Sequence, residues 1–313
     1  MTRMQSSARS PALLVGVAVA LISGCGSSVN AASVDSSPSA TPSSVIPVVA
    51  STNVYGDIVE QIGADKVDVV SIVSDPAQDP HSYEASTQNQ LVLSKAKVVV
   101  ENGGGYDDFV GRMLRSAKNS SADVIDAVDV SGKTPSAGGE LNEHVWYDFP
   151  TVGKLADRIA DSLAKAAPAD ADVFEQNAKT FKEELTSLQD KEARIKADHA
   201  GAAVTVTEPV PLYLVEASGL RNSTPSDFSE AVEEGDEVSP RTLQHTLELF
   251  TNKQVEALVY NEQTAGAQTE KVKQAAEDNS IPVVPVTETL PQGEDYISWM
   301  TANVDALKSA LDS

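Results

Sequence analysis

The sequence predicts an α/β protein in which two α/β lobes are joined by one long, rigid α-helix. Three observations carry this expectation. Short runs of branched apolar residues alternate with helical stretches, the alternation occurs twice, and one long amphipathic pattern separates the two sets.

In chain order, the first set places strands at 45–50, 67–73, 97–100 and 124–130. These runs are short and valine-rich, as strands buried on both faces tend to be. Helices are expected between them at 54–62, 86–94 and 106–117. The second set places strands at 203–207, 255–260 and 281–286, with helices at 211–217, 241–251 and 268–278. Between the sets, Phe174, Ala178, Phe181, Leu185, Leu188 and Ile195 fall on one helical stripe within 172–198, with Lys and Glu elsewhere. At about 1.5 Å per residue this helix runs roughly 40 Å, the length of a domain. A continuous helix resists bending more than a loop does, so small lobe movements are expected rather than wide closure. The expected organisation is therefore a first lobe at 45–171, a linker helix at 172–198 and a second lobe at 199–313, each lobe with its own core.

The segment ahead of the first strand sets the compartment. Arg3 and Arg9 precede the apolar run 12–22, which closes on Ile22-Ser23-Gly24-Cys25, and no acid occurs before Asp35. This pattern reads as a secretory signal, too short for a span that needs about twenty apolar residues. Cys25 is the only cysteine, which excludes a disulfide or a thiolate zinc cluster within one molecule. Its position resembles the lipobox of bacterial lipoproteins. Residues 1–25 are thus expected to be a lipoprotein signal peptide, with Cys25 the lipidated residue on the extracytoplasmic face of the cell membrane. Residues 26–44 are Ser, Ala, Pro, Thr and Asn with little to bury, a flexible tether. The formal net charge of −23 argues against a nucleic-acid partner, whose phosphates call for Lys and Arg. It favours cations near the surface, although solubility alone accounts for it equally well.

Two of the four histidines stand in conspicuous surroundings. His81 lies in Asp79-Pro80-His81-Ser82-Tyr83-Glu84 and His144 in Glu143-His144-Val145-Trp146-Tyr147-Asp148, each an imidazole among carboxylates and aromatics after an apolar run. Together they suggest a metal site. Other features carry less. Gly103-Gly104-Gly105 follows a strand but no Gly-Lys-Ser/Thr does, so a turn is enough. The acidic stretch Glu230, Glu233, Glu234, Asp236 and Glu237 lacks the ladder of a calcium loop and reads as a solvated helix end. No nucleophile elbow appears, and no His-Glu-x-x-His motif.

Cys25, Val48-Val49-Ala50-Ser51-Thr52, the two histidine segments, Glu101-Asn102-Gly103 and the long helix occur in an order that resembles the cluster A-I (class III) solute-binding lipoproteins of zinc and manganese ABC transporters. The resemblance runs from about residue 45 to the end of the sequence. It implies one divalent transition-metal ion in the cleft between the lobes, held by four protein ligands, two from each lobe. Position by position, His81 matches the first ligand and His144 the second. Glu208, after Val204-Thr205-Val206-Thr207, takes the third place, which is histidine in zinc-specific members and glutamate in manganese-type ones. Glu288, in Val286-Thr287-Glu288-Thr289, takes the fourth, where the family usually has aspartate.

Two imidazoles and two carboxylates suit Mn2+ or Fe2+ through oxygen and admit Zn2+ through nitrogen. The missing His/Asp-rich loop of many zinc-specific members tilts the expectation toward Mn2+. The ligands must be deprotonated to bind, so release is expected to ease below about pH 6. The resemblance further implies an ABC permease with a separate ATPase as partner, a monomeric carrier and no enzymatic activity. The alternatives are a surface adhesin or interaction protein and a secreted metallohydrolase.

Overall fold

The computed structural model describes residues 45–75, 83, 86–135 and 141–313. The first lobe consists of β1 (Ile46–Thr52), α1 (Asn53–Gly63), β2 (Val67–Val73), α2 (Thr87–Leu93), β3 (Val98–Glu101), α3 (Phe109–Ala117), β4 (Asp123–Asp126) and α4 (Ala127–Ser131). Two longer helices follow, α5 (Phe149–Ala166) and α6 (Ala171–His199). The second lobe consists of β5 (Ala203–Val206), α7 (Leu212–Ala217), β6 (Arg221–Asn222), α8 (Ser226–Glu233), α9 (Pro240–Thr251), β7 (Ala257–Asn261), α10 (Ala267–Asp278), β8 (Val283–Val286) and α11 (Tyr296–Leu311).

Each lobe holds a four-stranded parallel sheet, and the two sheets have the same winding. The orders are β2-β1-β3-β4 and β6-β5-β7-β8. Strands β5 and β7 are buried along their whole length, as expected where helices cover both faces of a parallel sheet. Register puts Val48 beside both Val69 and Val98, so branched side chains stack across the first sheet.

The largest departure among the predicted strands is at 124–130. The run 124–130 is strand only as far as Asp126, whose carboxylate then accepts the Asp129 N–H at 2.8 Å and caps α4. Gly132, at φ 70°, closes that short helix. Valine content pointed to a strand, and local capping chemistry overrode it. Two long helices, α5 and α11, are absent from the expected elements. For α5 the signals are present: an Asp148 cap on the Thr151 N–H, Pro150 in the first turn, and apolar residues at Val152, Leu155, Ala156, Ile159 and Leu163.

The lobes do not have wholly separate cores. The largest buried cluster runs from Ile46 and Val100 of the first sheet, through Phe174, Phe181, Leu185 and Ile195 of α6, to Val204, Val259 and Val286 of the second. Smaller clusters lie on the outer side of each sheet. Helix α6 reaches elements on both sides: Asn177 donates to the Ile62 carbonyl at the end of α1, and Lys191 pairs with Asp305 of α11 at 2.6 Å. Among the described residues, no helix is long and apolar enough to cross a membrane.

Candidate metal centre

In open parallel sheets, ligands bind beyond the carboxyl ends of the strands, where the strand order reverses. Here those points are β1/β3 and β5/β7. Glu208 follows β5 by two residues, Asn261 is the last residue of β7, and Glu288 follows β8 by two residues. His144 enters from the loop before α5. The Tyr147 N–H bonds the His144 carbonyl at 3.1 Å, forming a short 3-10 turn anchored by the buried Trp146 and Tyr147.

The imidazole of His144 is fully buried and its orientation is fixed. Asn142 Oδ1 accepts both the His144 backbone N–H at 3.1 Å and its ring Nδ1–H at 2.8 Å. Because a carbonyl oxygen only accepts, Nδ1 carries a proton and Nε2 is left as the ring nitrogen that can ligate a metal, the orientation a metal-ligating histidine requires. Nε2 lies 3.7 Å from Glu233 Oε1 and 3.9 Å from Glu288 Oε2. The indole of Trp146 packs 5.0 Å from the imidazole and 5.0 Å from Tyr106, forming an aromatic wall.

The carboxylates of Glu208 and Glu288 are both buried, and Asn261 links them. Its Nδ2 donates to Glu208 Oε2 and, at 2.8 Å, to Glu288 Oε1. Thr264 Oγ1 donates to Glu208 at 2.6 Å, Tyr106 O–H to Glu288 at 3.3 Å, and the Glu288 N–H bonds Gln263 Oε1 at 2.5 Å. Burial and hydrogen bonding thus fix one carboxylate beside the imidazole and a second linked to it through Asn261, donor types that fit a divalent transition-metal ion. The loop carrying His144 is tied to the second lobe: Asn142 Nδ2 donates to the Pro209 carbonyl at 3.0 Å, and Tyr213 O–H to the Asn142 carbonyl at 2.6 Å.

Of the residues expected from the sequence, the structure therefore brings together His144, Glu208 and Glu288. His81 and Cys25 lie outside the described residues. Tyr83, in the His81 segment, packs its ring 4.7 Å from Phe109. Sequence reasoning missed Glu233. Residues Glu143, His144 and Glu233 each offer a donor atom within 4.8 Å of the others. Burial, and then the charges of Glu143, Glu208 and Glu288, push the Glu233 carboxyl up to about 9. Glu233 therefore faces the site rather than solvent, one helical turn after the buried Ser229, a position that the acidic stretch itself does not mark.

The family described as zinc-uptake complex component A periplasmic (ZnuA) matches residues 48–310. The chain belongs to that family. Among curated relatives, the manganese ABC transporter substrate-binding lipoprotein PsaA of Streptococcus anginosus is 25% identical over 292 residues, covering 87% of this chain and 91% of the relative. The manganese-binding lipoprotein MntA of Bacillus subtilis (strain 168) is 31% identical over 225 residues, covering 67% of this chain and 69% of the relative. Among solved structures, a crystal structure of ZnuA superposes with a TM-score of 0.71 at 23% identity, covering 85% of this chain and 99% of that one. The periplasmic zinc-binding protein TroA of Treponema pallidum gives 0.72 at 19%, with the same coverage. At these identities the structural likenesses establish the fold: two parallel-sheet lobes with a long connecting helix.

Proposed function

We propose that this chain captures one divalent transition-metal ion outside the cytoplasm and delivers it to the membrane permease of an ABC importer driven by a separate ATPase. Family membership supports this reading, as do relatives named as substrate-binding lipoproteins of metal ABC transporters, a class of carriers rather than enzymes. The observation that carries it is the buried His144: its Nδ1 proton is committed to Asn142 and its Nε2 faces the carboxylate of Glu288 at 3.9 Å.

The ligand set we propose is His81, His144, Glu208 and Glu288. Two carboxylates neutralise a dication, and their oxygens suit Mn2+, while the imidazoles accept Zn2+. Cys25 is the proposed lipid anchor, holding a monomeric carrier at the outer face of the membrane. Because Zn2+ outranks Mn2+ at almost any such site, tighter Zn2+ binding in vitro does not by itself identify the cargo.

Elemental analysis tests the reading. The purified protein, stripped of metal and offered Mn2+ and Zn2+ separately, is expected to retain one ion per chain, and His81→Ala and His144→Ala are expected to lose it. A wild-type protein that retains no stoichiometric metal would refute the proposal.

A further inference from the structure

We propose that Glu233 of α8 is an additional protein donor to the bound ion and that it tunes the site between Mn2+ and Zn2+. This inference rests on the metal-binding reading above and adds a residue to the four ligands proposed there. The geometry is specific: Glu233 Oε1 lies 3.7 Å from His144 Nε2, closer than Glu288 Oε2 at 3.9 Å. Two donors about 2.1 Å from one ion are about 3.0 Å apart at right angles and about 3.4 Å apart in a tetrahedron. A contraction of a few tenths of an ångström would therefore bring the Glu233 carboxylate and the imidazole to ligand spacing around a common ion, and a similar one would do the same for Glu288 and the imidazole. Glu233 Oε1 is itself buried and makes no hydrogen bond among the described residues.

A second observation points the same way. A cavity of about 400 Å³ opens beside the site, and its lining includes Glu143, Glu230, Glu233 and Glu234 together with Asn142 and Pro209. Glu233 belongs both to this acidic wall and to the surroundings of the imidazole. An ion arriving through the cavity meets its carboxylate next to His144.

The chemical consequence is selectivity. Zn2+ is satisfied by four donors in a tetrahedron, whereas Mn2+ favours six-coordinate, oxygen-rich surroundings. A further carboxylate therefore benefits Mn2+ more. Its charge acts equally on both dications, so the ratio of the two affinities separates ligation from simple attraction.

The test compares wild type with Glu233→Ala and Glu233→Gln, using chelator competition for Mn2+ and Zn2+ and the visible spectrum of the Co2+-loaded protein. Loss of the donor is expected to weaken Mn2+ about tenfold more than Zn2+. It is also expected to convert the weak Co2+ absorption of a five- or six-coordinate ion into the intense band of a tetrahedral one. Equal weakening of Mn2+ and Zn2+, or an unchanged Co2+ spectrum, overturns the assignment while leaving one-ion binding intact. A wild type that binds neither ion overturns the metal-binding reading and this inference with it. Far-UV circular dichroism of the variants checks that α8 still forms.

Discussion

Asn261 holds the two buried carboxylates of the second lobe through a single amide group. Its Nδ2 serves Glu208 and Glu288, its backbone N–H bonds Thr207 Oγ1 at 2.9 Å, and its Oδ1 accepts the Gln263 N–H at 3.1 Å, which fixes which way the amide faces. Removing that amide leaves two like charges without a shared donor. Asn261→Ala is therefore expected to weaken metal binding by about 10- to 100-fold while one ion per chain is still retained. Chelator competition would measure this, and an unchanged affinity would show that the carboxylates are held by other means. Residues such as Asn261 and Asn142 are the part of the site that the sequence hides. A histidine between a glutamate and a tryptophan is chemically conspicuous, whereas an asparagine at the end of a strand reads as an ordinary turn residue. Glu233 was hidden for a related reason. In a run of five acids, nothing local distinguishes the one carboxylate that turns inward from those that stay in water.

Helix α6 was the most legible element, and its bounds differ from the expected 172–198 by one residue at each end. Its apolar stripe is buried from Phe174 to Ile195, with one exception. Glu192 occupies a stripe position, is only 5% exposed, and is pushed up to about 8 by burial first and by the charge of Asp148 second. The unfolded chain ionises this carboxyl near its ordinary value of 4.5, while the folded chain keeps it protonated up to about pH 8. The folded state thus binds the extra proton across that window. The stability linked to this group is fully present below the unfolded pKa and declines as pH rises toward 8. Glu192→Gln removes the ionisation. The variant is expected to match wild type near pH 4.5 and to be more stable by roughly 2–3 kcal/mol at pH 8, about half the full linkage of 1.36 kcal/mol per pH unit. Urea unfolding at the two pH values would check it, and a pH-independent difference would contradict the assignment. The misread strand at 124–130 marks the opposite limit, where an Asp126 cap and Gly132 outweigh five branched or apolar residues.

At the scale of the molecule, two sheets of identical winding share one continuous core, an arrangement that alternating periodicity cannot reveal. Periodicity identifies which face of an element is buried, not which distant element covers it, and α11 was overlooked although it packs across the core between the lobes. A shared core and a continuous α6 imply that metal binding tightens the protein without reshaping it. Metal at 1,000 times its Kd is expected to add about 4 kcal/mol of stability, raising Tm by roughly 8–16 °C. Small-angle scattering is expected to show the same radius of gyration with and without the ion, and a marked contraction would indicate a hinge that α6 does not provide. Such stiffness raises the question of how cargo leaves, and Asn142 offers an answer. One face of its amide aligns the imidazole of His144 and the other grips the carbonyl of Pro209 across the cleft. A hydrogen bond of 3.0 Å is lost when its ends part by about 1 Å. With His144 a ligand as proposed, a docked permease that parted the lobes by that much would free the amide to rotate, and with it the imidazole. On that reading the contact works like a latch whose bolt also holds the key, and a nudge too small to count as opening would be enough to unlock the ion.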